Sequence, residues 1–257
     1  MRSDDDVDSP DLPRQFAIRE RHHRIHDPLS EEKLAALGRA LRLRAGERVL
    51  DLACGSGEML CTWARDHDII GTGVDISSVF VGNGTARSRE LGVEHRVDFV
   101  HADARGYVGE PVYDVAACLG ASWIGGGPVG TLALLERSLR PGGMLLLGEP
   151  YWAKEPPDEE TVRGCFASTR EDFCSLPALV QQFGRLGWDL VEMVLASPDD
   201  WDRYVAAQWL NIRGFLDENP DDELATEMRA ELATAPLRYV TYQREYLGWG
   251  VFALMKR

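Results

Sequence analysis

The chain of 257 residues is short of positive charge, of long apolar runs and of paired cysteines, and each shortage removes a class of function. Twenty-eight Lys and Arg stand against 42 Asp and Glu, leaving a net charge of -14. Nucleic-acid binding relies on a basic surface that displaces counterions, so this balance argues against DNA or RNA as a partner. The five cysteines, Cys54, Cys61, Cys118, Cys165 and Cys174, form no Cys-x-x-Cys pair, and the first three sit in apolar surroundings. Free thiols in a reducing compartment are expected, with no disulfide frame and no metal site. No uninterrupted apolar run is long enough to span a bilayer, and Met1 to Asp8 lacks the apolar core of a signal peptide. The expectation is a cytoplasmic protein without membrane contact. With 44% hydrophobic residues and no internal repeats, the chain can bury a full core.

What is there centres on Val49-Leu50-Asp51-Leu52-Ala53-Cys54-Gly55-Ser56-Gly57-Glu58, an apolar run that breaks into a glycine turn and enters an amphipathic segment. This reads as strand, tight turn and helix start. Gly55 and Gly57 let the backbone turn sharply and let a ligand approach closely. A dinucleotide fingerprint needs a third glycine three residues on, and Leu60 stands there, which counts against an NAD-dependent oxidoreductase.

Further strands follow in the same rhythm. Ile69 to Ser77 ends in Asp75, 24 positions after Asp51, close to the roughly 20-residue interval at which such folds place a carboxylate on a ribose diol. Ser77 is available as the next helix cap, which leaves Asp75 free, with Ile76 beside it. Val97 to Ala104 ends in Asp103 and Ala104, with a plain cap the alternative reading of Asp103. Tyr113 to Gly120, closing on Leu119-Gly120, opens into Ala121-Ser122-Trp123. Ligands of open α/β sheets sit outside the carboxyl ends of the strands, so Gly120 and Trp123 become pocket candidates, with plain packing the alternative for Trp123. After a helix over Thr131 to Leu139, an Arg140-Pro141-Gly142-Gly143 turn leads into the strand ending Glu149-Pro150-Tyr151-Trp152.

In that order, from about residue 45 to 152, these pieces resemble the Rossmann-like (class I) S-adenosylmethionine (SAM) methyltransferases. The whole chain looks closest to bacterial small-molecule methyltransferases related to the ubiquinone and menaquinone group. The departure is Ala53, where many members have glycine; a methyl group is tolerable there if the strained angles fall on Gly55 and Gly57. The resemblance implies SAM as cofactor, with Asp51, Ala53, Gly55, Ser56, Gly57, Asp75 and Ile76 around it. It also implies Asp103 and Ala104 at the adenine, and Leu119 and Gly120 facing the methyl group. It further implies an α/β fold: a seven-stranded, mostly parallel sheet with helices on both faces and a helical insertion before the last strand.

Around this frame the sequence suggests an acidic mobile tail over residues 1–13 and one methyltransferase domain over 14–257. Within it, 14–45 form N-terminal cap helices. Ile18 to Leu29 reads as a cationic helix ended by Pro28 and holds His22, His23 and His26, where histidine suits a group titrating near neutrality. In proteins of this resemblance the segment folds over the site, which makes His22 a substrate contact and His26 a candidate base beside Glu149 and Tyr151. Residues 198–236 interrupt the final hairpin with two helices broken at Asn219-Pro220, and read as a lid. Trp201, Tyr204 and Trp209, with Tyr242 beyond, are its candidate contacts to a small-molecule acceptor. A non-catalytic SAM-binding module is the alternative, and the aromatic insertion counts against it.

Overall fold

The computed structural model describes residues 11–257, so the expectation for residues 1–10 lies outside the described residues. Asp11, assigned above to a free tail, is tied down: its carboxylate accepts from Ser78 N (3.2 Å) and Ser78 Oγ (2.5 Å).

Seven strands form one sheet in the order β3-β2-β1-β4-β5-β7-β6. They are β1 (Arg48–Leu52), β2 (Ile70–Asp75), β3 (Val97–His101), β4 (Tyr113–Leu119), β5 (Leu139–Trp152), β6 (Trp188–Leu195) and β7 (Leu247–Lys256). β1 to β5 pair in parallel, and β7 runs antiparallel to both β5 and β6. Strands buried on both faces read as continuous apolar runs, which is why β1, β4 and β5 are so plain in the sequence. The Arg-Pro-Gly-Gly turn survives as a bulge inside β5: the register jumps from Tyr113↔Leu139 to Val115↔Met144, and Gly142 takes φ +75°.

The helices are α1 (Arg14–Arg19), α2 (Glu31–Ala40), α3 (Glu58–His67), α4 (Ser78–Glu90), α5 (Pro128–Glu136), α6 (Glu159–Gly164), α7 (Leu176–Arg185), α8 (Pro198–Glu218) and α9 (Ala225–Arg238). Ser30, Ser77, Asp158, Ser175 and Ser197 cap five of them with side-chain oxygens on backbone N–H groups. α5 begins three residues earlier than the sequence suggested, with Pro128 in its first turn, where its missing N–H costs nothing. One core lies on each side of the sheet. The first gathers Leu50, Leu52, Leu145, Leu147, Phe183 and Phe252; the second holds Val49, Leu60, Trp63, Leu146 and Val251. Leu60, in the missing third-glycine position, is accommodated from the strand side, because a Cβ on Gly71 would lie 3.2 Å from its Cδ2.

Two expectations change. The helix expected over Ile18 to Leu29 stops at Arg19, and turns and bends carry the chain to Leu29. The insertion extends past residue 236: α9 runs through Pro236, and the winding loosens to a π turn over Tyr239–Gln243. Pro236 removes one intrahelical donor from the last stretch of α9.

Candidate active site

β1 and β4 are neighbours where the strand order reverses, and their carboxyl ends open into a cavity of about 890 Å³. Its floor includes Ala53, Gly55, Asp75, Ile76, Leu119 and Gly120, and Asp103 and Ala104 join from the loop after β3.

The first turn carries more strain than the sequence suggested. Positive φ falls on Gly55 (+54°) and Gly57 (+68°), and also on Ala53 itself (+59°). Gly55 and Gly120 border the cavity, yet there is no room for a side chain on any of these glycines. A Cβ on Gly55 would lie 2.8 Å from the His26 ring, one on Gly57 2.3 Å from the Phe99 ring, and one on Gly120 2.0 Å from Asp27 Oδ1. His26 and Asp27 therefore cover the two glycine turns from the N-terminal segment.

Asp51 is 3% exposed, and its Oδ1 has no hydrogen-bond partner. Burial, then Asp27 and Asp75, hold its carboxyl well above the usual range. It faces a small adjoining pocket of about 50 Å³ that shares His26, Asp27, Ala53, Gly55 and Leu119 with the main cavity. Asp75 lies at the end of β2, as expected, but it is not free. Its Oδ2 accepts from Gly55 N and its Oδ1 from Ser77 N, both at 2.8 Å, while Ser77 caps α4. Burial raises its pKa, and those two backbone bonds oppose the rise. Asp103 lines the cavity and also serves as a cap, accepting from Arg105 N and pairing with its guanidinium.

Ser56 and Gly57 do not reach the cavity wall. Ser56 Oγ instead meets His26 Nε2 at 3.0 Å. His26 lines the cavity edge-on to Phe80, and burial, then His23, push its pKa down to about 4, so the ring is neutral at pH 7. Glu149 and Tyr151 do not line the cavity. Glu149 is 5% exposed, its Oε2 lacks a partner, and burial lifts its carboxyl to about 7 against a hydrogen bond from Ser122. Tyr151 packs where a Cβ on Gly248 would lie 2.3 Å from its ring. His22 is exposed beside a separate surface pocket. Tyr242 does not line the cavity; it lies against α6, its hydroxyl donating to Glu160 Oε1 at 2.5 Å.

Trp201, Tyr204 and Trp209 all line the opposite wall, and Trp123 lies at 56% exposure on the cavity's rim. Glu20, Asp27, Gln208 and Arg238 also line it, and the sequence reading did not single them out. Gln208 follows Tyr204 by four and Trp201 by seven, a helical-face spacing that was there to be used. Asp27 is raised to about 7, by burial and then by Glu20. Glu20 Oε1 accepts from Gln208 Nε2 (2.7 Å) and Tyr204 Oη (3.1 Å), while Oε2 has no hydrogen bond although His23 Nδ1 lies 3.2 Å away. His23 Nε2 meets the Tyr204 carbonyl at 3.1 Å, an acceptor only, so that nitrogen carries the hydrogen. Burial raises the Glu20 pKa, opposed first by His23. Asn211 Nδ2 donates to the Arg19 carbonyl at 2.7 Å. Together these bonds fasten residues 19–26 to α8 across the top of the cavity.

Among the described residues the site has no cluster of His, Cys, Asp and Glu placed to hold a metal ion. It offers carboxyls at the strand ends, an uncharged imidazole and an aromatic wall.

Residues 49–143 match the family model described as a methyltransferase domain. A SAM-dependent methyltransferase from Geobacter sulfurreducens, solved in complex with S-adenosyl-L-homocysteine (SAH), is 62% identical, with a TM-score of 0.95 over 96% of this chain and 99% of that one. Its counterpart from Thiobacillus denitrificans, also in complex with SAH, is 59% identical, with a TM-score of 0.94 over 96% of this chain and all of that one. The uncharacterized protein YjhP of Escherichia coli strain K12 is 58% identical over 96% of this chain and its own full length.

Proposed function

Because the chain belongs to the class I SAM-dependent methyltransferases, we propose that it transfers the methyl group of SAM to a small-molecule acceptor held between the strand ends and helices α8 and α9. The observation that carries the reading is the set of acids at successive strand ends. Asp51 has an unpartnered oxygen in a buried pocket, Asp75 and Asp103 line the cavity next to it, and the positive-φ turn after Asp51 is bonded to Asp75 through Gly55 N. An orphaned buried carboxylate oxygen is costly unless a ligand donor meets it, and a ligand carrying an ammonium and a sulfonium suits it.

In this reading Asp51, with Ala53 and Gly55, would hold the amino-acid end of the cofactor, and Asp75 the ribose hydroxyls. Asp103 and Ala104 would hold the adenine. When bound, the cofactor supplies an electrophilic methyl on a cationic sulfur. The protein's own work is alignment and exclusion of water. Leu119 and Gly120 border the point of transfer, Trp201, Tyr204 and Trp209 wall the acceptor side, and α8 with α9 acts as the lid over both. His26, neutral at pH 7 and hydrogen-bonded to Ser56, is the candidate to accept a proton from an acceptor that must lose one, a weak base in the ligand-free site because burial opposes its charging. Glu149, behind the wall with a carboxyl near 7, is better placed to tune that region than to touch the acceptor.

The test is incubation with methyl-labelled SAM and a metabolite panel, with mass spectrometry of the product, alongside calorimetry. SAM and SAH should bind and NAD should not. Asp75→Ala should weaken SAM binding by about 1.5 to 3 kcal/mol, the range for hydrogen bonds to charged groups. Unchanged affinity in a folded Asp75→Ala protein would leave Asp75 as a turn-stabilising residue, holding Gly55 N and Ser77 N only.

A further inference from the structure

Six buried side-chain nitrogen or oxygen atoms among the described residues lack a hydrogen-bond partner, and four belong to residues lining the large cavity: Arg19 Nε, Glu20 Oε2, Trp201 Nε1 and Arg238 Nε. Three of these are donors. A buried polar group left unpaired is costly, so a chamber that collects such donors fits a ligand rich in acceptors.

The charges narrow the choice. Arg19 is already neutralised, its Nη2 lying 2.5 Å from Glu231 Oε2. Arg238 has no carboxylate within ion-pair distance among the described residues. Its guanidinium instead lies over the Phe166 ring, 4.4 Å from the centroid. Its place in the last turn of α9 offsets part of its charge, but leaves Nε unmet. Arg238 and Trp201 line the same chamber, and each stands next to a residue that ties α8 and α9 together. Tyr239 Oη donates to Asp202 Oδ1 at 2.7 Å and Arg244 Nε to the same oxygen at 2.9 Å, pinning the end of α9 to the start of α8.

We propose that Arg238, with the Trp201 indole N–H, forms an anion-reading subsite, and that the methyl acceptor is an organic acid: an apolar or aromatic body carrying a carboxylate. The inference rests on the methyltransferase reading and deepens it. One unpaired guanidinium matches a monoanion. A phosphate dianion would bring a second negative charge into a chamber already lined by Glu20, Asp27, Asp75, Asp103, Glu227 and Glu231. The guanidinium fork suits a planar carboxylate, and its aromatic backing restrains it in place. Val205, Trp209, Ile212 and Leu247 contribute an apolar stretch of wall that suits the body of such a molecule.

The experiment uses the full chain saturated with SAH and measures binding of benzoate, trans-cinnamate and decanoate, each against its own neutral amide, with phenyl phosphate as a dianion control. At least one carboxylate should bind about tenfold or more tightly than its amide. Arg238→Met should abolish that preference while SAH affinity stays unchanged, and Arg238→Lys should keep part of it. Equal binding of every acid and its amide, binding of none, a wild-type preference in Arg238→Met, or tighter binding of phenyl phosphate would each overturn the proposal. Failure of SAH to bind wild-type protein would instead strike the methyltransferase reading itself.

Discussion

Ala53 holds a left-handed backbone angle, φ +59°, on a residue that carries a Cβ. For an L-residue that conformation costs roughly 1 to 2 kcal/mol, and only glycine escapes it. The expectation that Gly55 and Gly57 would absorb all the turn's strain was therefore incomplete: three residues share it. Glycine at position 53 would remove the strain but loosen the unfolded chain by about 0.4 to 1 kcal/mol, so Ala53→Gly should stabilise the fold by between about 0 and 1.6 kcal/mol. Urea unfolding of both proteins measures it; a clear loss of stability would mean that packing around the Ala53 methyl outweighs the strain. Alanine at Gly55 or Gly120 should act differently, because each new Cβ meets His26 or Asp27 and the disturbance passes to the N-terminal segment.

At the scale of elements, the cavity exists because residues 19–26 and α8 are fastened together by Glu20, His23, Tyr204, Gln208 and Asn211. α8 presents Trp209 to the cavity half-buried and edge-on to Tyr239, while Trp63 of α3 is 1% exposed in the core. Trp63→Ala should therefore cost the roughly 3 to 5 kcal/mol typical of a packed interior, and Trp209→Ala clearly less, with SAH affinity unchanged. Melting curves and SAH titrations of both variants check this, and an equal loss of stability would make Trp209 ordinary core. The same contrast shows what the sequence could disclose. The parallel strands, their terminal acids and the glycine turns are local patterns, so β1 to β4 and Asp51, Asp75 and Asp103 were legible. Residues 20–29 were misread as helix because their partners lie about 180 positions away on α8. Glu20, Asp27 and Arg238 went unnoticed for a related reason: isolated charged residues look like solvated surface until the fold buries them. Tyr242 was placed at the cavity because nothing local announces its contacts with Glu160 and Gly164, about 80 positions away.

For the molecule as a whole, buried acids should dominate the pH dependence of stability. Asp27 and Glu149 are each held near 7, against ordinary values near 4, mainly by burial. Between about pH 4 and 7 the folded protein keeps those protons while the unfolded chain gives them up, so stability falls as pH rises through that window. His26 works the other way: its folded pKa near 4 lies below the usual 6.5, so the unfolded chain takes the extra proton there and stability rises with pH. Two carboxyls outweigh one imidazole, and the net charge of -14 adds self-repulsion as further acids ionise. The ligand-free protein should accordingly be more stable near pH 5 than near pH 8, on the acid side of the common optimum. Glu149→Gln isolates one contributor. At pH 8 it spares the fold a buried anion with an unpartnered oxygen, and a shift from 4.5 to about 7 is worth about 3 kcal/mol as an upper bound. Near pH 4.5 the wild-type carboxyl is largely neutral, so the advantage should vanish. Urea unfolding of both proteins from pH 4.5 to 8 decides the matter: two curves that stay parallel across the range would mean that Glu149 is ionised in the fold at neutrality, and that some other group sets the slope.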